Sequence, residues 1–75
     1  MLSQTVAREV RAELGRQSIS RKTFAEKACL PYKRALEMLD GQRPWGLEDV
    51  DTAASVLGVD ALNLIFPDRV EASAA

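Results

Sequence analysis

The chain has 75 residues, 47% of them hydrophobic and 28% charged, a composition that fits a folded globular domain and excludes a disordered or fibrous one. No apolar run reaches the roughly 20 residues of a membrane span, and the first residues lack the basic-then-apolar layout of a secretory signal, so a cytoplasmic protein is expected. Cys29 is alone and histidine is absent, which excludes an internal disulfide and removes the commonest zinc ligand and general base; no metal, cofactor or catalytic site is expected.

Val6, Val10 and Leu14 recur at every fourth residue with Arg8, Glu9, Arg11 and Glu13 between them, the period of an amphipathic helix running from about residue 3, with Ser3 as N-cap, to about 16. Glu9 and Glu13 could pair for acid–base work, but the arginines among them make a solvated, ion-paired face the expected role. Ser20 caps a second helix whose stripe is Phe24, Ala25 and Ala28. Cys29, Leu30 and Pro31 alone separate it from a third helix of about residues 31–39, with Ala35, Met38 and Leu39 inward and a stop at Asp40-Gly41. Residues 42–46 read as a loop. A fourth helix buries Leu47, Val50, Ala54 and Leu57 and stops at Gly58. Asp60 caps a short fifth helix containing Leu62, Ile65 and Phe66, ended by Pro67. The expected architecture is all-α, a compact five-helix bundle: one domain over residues 1–67 and a flexible tail over 68–75.

Charge is divided unevenly along the chain. Through Arg43 there are nine Lys or Arg against five Asp or Glu, a balance of +4; beyond it there is one basic residue against six acids, a balance of −5. Helix N-termini favour acids by roughly 0.3–1 kcal/mol each. The fourth helix obeys, with Glu48, Asp49 and Asp51. The second and third begin instead with Arg21 and Lys22, and with Lys33 and Arg34. Any one of these could be a solvated surface charge. Four cations around one three-residue turn argue for an anionic partner.

Residues 20–44 resemble the helix-turn-helix of the Cro and CI type phage-repressor (XRE, lambda repressor-like) family. The likeness rests on Phe24-Ala25-Glu26, Ala28, Leu30, Ala35, Met38, the Asp40-Gly41-Gln42-Arg43-Pro44 exit and Val56-Leu57-Gly58-Val59, and covers roughly residues 5–66. Three residues depart from the family's pattern: Cys29 stands at its usual glycine, Pro31 at its usual serine or threonine cap, and Trp45 is bulkier than its usual choice after the loop.

The resemblance implies that the third helix lies in the major groove and the second crosses the backbone. Tyr32, Lys33, Leu36 and Glu37 would then meet base edges: Lys33 suits guanine O6 and N7, Glu37 cytosine N4, and Leu36 a thymine methyl. A helical salt bridge from Glu37 to Lys33 or Arg34 is the alternative for that residue. Ser20, Arg21, Lys22, Arg34, Arg43 and Trp45 would meet phosphates, with packing on the end of the third helix as the alternative for Trp45. Leu64 and Phe66 form a candidate dimer patch, or else close the core over the first helix. The function implied is sequence-specific transcriptional regulation, of phage or prophage repressor type. Its partner is a double-stranded DNA operator, bound by a homodimer in the nucleoid of a bacterial host, with no small-molecule ligand. Whether the chain is a complete regulator or the first domain of a longer one stays open, as does an antitoxin variant. The alternative function is a protein–protein interaction module that keeps the fold without binding DNA, toward which the acidic back half points.

Overall fold

The computed structural model describes residues 2–66, and in it the stripe Val6, Val10 and Leu14 faces inward along a helix, α1 (Leu2–Gln17). Four further helices follow: α2 (Arg21–Lys27), α3 (Tyr32–Leu39), α4 (Leu47–Leu57) and α5 (Ala61–Ile65), with no strand among the described residues. The anticipated tail, and Pro67 as the stop of the last helix, lie outside those residues.

The first helix is the centre of the bundle, packing against α3, α4 and α5, while α2 lies on α3 and α5 on α4. Ala7 widens its buried stripe beside Val6. Phe24 from α2, Met38 and Leu39 from α3, Val50, Ala53, Ala54 and Leu57 from α4 and Leu64 from α5 complete one core. Burying a side chain such as Phe24 contributes about 1.5–3 kcal/mol, so a handful of such residues carries a domain this small. Among the described residues no buried side-chain nitrogen or oxygen lacks a hydrogen-bond partner.

The first four helices end in one backbone motif. After α1, Ile19 N donates to Leu14 O and Ser18 N to Gly15 O; the same pair of bonds recurs from Leu30 and Cys29, from Gln42 and Gly41, and from Val59 and Gly58. This is the Schellman ending, which needs a left-handed residue, and Ser18, Cys29, Gly41 and Gly58 have φ of 56°, 58°, 77° and 70°. Ile19, Leu30 and Val59, the residues that follow at three of these ends, pack against the core. Two side chains of α1 satisfy carbonyls left over at such ends: Arg11 donates to Leu39 O, and Gln17 donates to Leu57 O at 2.8 Å. Gln17 also donates to Glu13 at 2.8 Å; that bond, with the Arg16 guanidinium, holds the Glu13 carboxyl below the usual carboxylate range against the opposing effect of burial. Glu9 meets Arg8 at 3.6 Å, so both carboxylates of α1 sit in an ion-paired face.

Several expected details are corrected. Ser3 lies inside α1 instead of capping it, and its hydroxyl accepts from Trp45 N at 2.9 Å, supplying a partner to a loop amide. Leu47 is 81% exposed, because it is the first residue of α4 and lies outside the stripe begun by Val50. Pro31 is the N-cap of α3 and contributes no side-chain hydrogen bond, so the helix starts one residue later, at Tyr32. Phe66 is the C-cap of α5 and no longer helical.

Candidate nucleic-acid interface

Ser20 has the extended backbone of an N-cap, and Thr23 N donates to its hydroxyl at 3.1 Å, which fixes where α2 begins. The next two residues are therefore the first turn of a helix. Arg21 and Lys22 are both exposed there. The turn of residues 28–30 then leads from α2 toward α3, with Cys29 exposed in the left-handed conformation at the position where the resemblance places glycine. Tyr32, Lys33 and Arg34 form the exposed first turn of α3, and Leu36 and Glu37 are half-buried one turn on. Because Ala35, Met38 and Leu39 hold the other face in the core, the unburied face of α3 is presented outward on a fixed support. Lys33 and Glu37 are four residues apart, as are Tyr32 and Leu36, so each pair shares a stretch of that face. Lys22 shares a shallow groove with Ala25, Glu26, Leu30 and Tyr32, which joins the start of α2 to the start of α3.

The three arginines of this region are each met by a carboxylate. Arg21 Nη1 lies 3.2 Å from Asp40 Oδ1, linking the start of α2 to the end of α3. Arg34 Nη2 lies 3.8 Å from Asp49 Oδ1 at the start of α4, a long and weak pair. Arg43 donates from Nε at 3.1 Å and Nη2 at 2.8 Å to a single oxygen of Glu37, Oε1. Among the described residues Lys22 and Lys33 have no carboxylate partner. The face thus offers two free ammonium groups and three guanidinium groups whose partners are exposed enough to be exchanged.

Two expected site residues take other places. Trp45 is only 8% exposed and its indole N–H donates to Met38 O at 2.8 Å, so its ring packs at the end of α3 and is not presented to a backbone. A ring that large, with its donor satisfied by a carbonyl that also accepts from Gly41 N, is better accommodated inside than in water. Leu64 is 3% exposed and belongs to the core, so it forms no surface patch; Phe66, at 56%, remains outside, and the exposed apolar neighbour four residues before it is Leu62. For Glu37 the partner is Arg43, not Lys33 or Arg34. Sequence reasoning missed Asp40 and Asp49 as partners: Arg21 and Asp40 stand 19 residues apart with no local pattern joining them, and Asp49 reads as an ordinary first-turn acid.

Neither a family model, nor a curated protein, nor a solved structure matches this chain. Among the described residues no group of three or more His, Cys, Asp or Glu could hold a metal ion, and no helix is long and apolar enough to cross a membrane.

Proposed function

We propose that this chain is a sequence-reading DNA-binding regulator of the lambda repressor-like kind, with α2 and α3 as its helix-turn-helix and α3 as the helix that enters the major groove. The observation that carries the reading is the pair of helix first turns, Arg21-Lys22 and Lys33-Arg34, exposed before and after a three-residue turn, with both lysines free of carboxylates among the described residues. Helix N-termini and cations both attract phosphate. Tyr32, Lys33, Leu36 and Glu37 would read bases, while Ser20, Arg21, Lys22 and Arg34 would fix register on the backbone. Repression by occupying an operator in the bacterial cytoplasm, as a homodimer on two half-sites about 34 Å apart, follows from the resemblance.

A second reading, a protein-interaction module, is favoured by the internal pairing of Arg21, Arg34 and Arg43 and by the exposed Leu62 and Phe66 in the acidic later part of the sequence. Selection of bound sites from a random duplex library, followed by titration of the best site at two salt concentrations, separates the two. A short palindromic motif with steep salt dependence is expected. Enrichment of no motif would leave the interaction module as the better account.

A further inference from the structure

Arg43 is in a loop that is tied down on both sides. Before it, Gly41 N donates to Met38 O at 3.1 Å and Gln42 N to Glu37 O at 2.9 Å; after it, Trp45 is anchored through its indole to Met38 and through its backbone to Ser3. The guanidinium is therefore held against the last turns of α3 by a fixed backbone, and both of its donors converge on Glu37 Oε1. A carboxylate accepts through two oxygens, and this arrangement engages one and leaves Oε2 open. An unpaired glutamate entering a groove walled by phosphates would be repelled. Glu37 paired with Arg43 carries no net charge and still presents an acceptor.

Resting on the DNA-binding reading above, we propose that Arg43 is a positioning residue for base recognition and not a phosphate anchor: it neutralises and orients Glu37 so that Oε2 accepts from an exocyclic base amine, cytosine N4 or adenine N6, in the major groove. Glu37 is then the specificity-determining residue at one base pair, and Arg43 acts only through it.

The test compares wild-type protein with Glu37→Gln, Arg43→Lys, Arg43→Ala and the double variant Glu37→Gln/Arg43→Ala. Each is put through site selection and titrated against the selected and a scrambled duplex over a range of salt, with melting curves to confirm that it folds. Arg43→Ala should weaken the selected duplex by about tenfold, the size of one good base contact, and flatten preference only at the base pair that Glu37→Gln alters. The base recovered there by wild-type protein, C or A, identifies the amine. Arg43→Lys keeps the charge but not the two-donor fork, and should lose the same preference. Relative to wild type, the double variant, which like the intact pair carries no net charge at these two positions, should change neither the scrambled affinity nor the salt dependence. If it instead weakens both duplexes equally and makes the log–log salt slope shallower by about one, Arg43 is a phosphate anchor and the proposal fails while the DNA reading stands. If wild-type protein selects no motif, the DNA reading itself falls and takes the proposal with it.

Discussion

Helices α2 and α4 begin in opposite ways. After its Ser20 cap, α2 places Arg21 and Lys22 in its first turn, whereas α4 begins on Gly46 and places Glu48 and Asp49 there, Asp49 Oδ2 accepting from Gly46 N at 2.9 Å. The third helix sides with α2: it has no side-chain cap and begins with Lys33 and Arg34 within reach of its dipole. One helix is arranged for its own stability. The other two hold cations where the dipole disfavours them by about 0.3–1 kcal/mol each, and two of those cations borrow carboxylates from elsewhere, Asp40 and Asp49. At both of these helix starts local stability has been given up where exposed positive charge is placed.

The sharpest way to break this comparison is to make α2 and α3 begin as α4 does. Lys22→Glu/Lys33→Glu replaces two free cations with acids that suit the dipole. Binding to duplex DNA should fall on the order of a hundredfold at about 0.1 M salt. Stability should rise, by about 0.3–1 kcal/mol for each substitution, read as a higher denaturant midpoint. A variant that binds less and folds better would show that these lysines serve a ligand. Unchanged binding would reduce them to solvated surface charge.

The parts of this comparison differ in how far they can be read from residues alone. The helices are legible because Val6, Val10 and Leu14, or Phe24 and Ala28, repeat at the helical period, and the first-turn charges are legible because a helix start fixes which residues feel the dipole. Glycine announces the left-handed ends at Gly41 and Gly58. Ser18 gives no such signal, and Cys29 gives one only through the resemblance, because the conformation there is imposed by packing of Ile19 and Leu30 on the core. The ion pairs of Arg21 with Asp40 and Arg34 with Asp49 join different helices, so no sequence spacing encodes them. Trp45 shows the same limit: Pro44 and Gly46 mark a turn, but burial of the indole depends on the Met38 carbonyl, which accepts from it as well as from Gly41 N.

The α4 side can be tested directly. Asp49→Ala removes the carboxylate that holds Gly46 N and should cost about 1 kcal/mol, a melting temperature lower by about 4–8 °C in a domain of this size. Glu48→Ala, which removes a first-turn acid making no hydrogen bond among the described residues, should cost only a few tenths of that. Because Asp49 also faces Arg34 at 3.8 Å, its removal should raise affinity for duplex DNA by up to about fivefold, the scale of an exposed ion pair. Loss of affinity in Asp49→Ala would place the acidic start of α4 inside the contact surface instead of beside it.

The smallest effect concerns two turns with the same backbone and different residues. The chain leaves α2 through Cys29 and α4 through Gly58, both left-handed and both closing the same two hydrogen bonds. A side chain in that conformation costs roughly 1–2 kcal/mol, and glycine in its place gives back part of the gain through the freedom it has when unfolded. Cys29→Gly should therefore stabilise by about 0.5 kcal/mol, since the thiol is exposed and its loss leaves no cavity. Gly58→Ala should destabilise by about 1 kcal/mol, although its new methyl would meet open space, because the strain is in the backbone. Chemical denaturation of both variants decides the matter. If Cys29→Gly instead destabilises, the thiol contributes something at the α2–α3 turn that its exposure does not reveal, and the turn would no longer count as a second place where this face of the protein is held short of its most stable form.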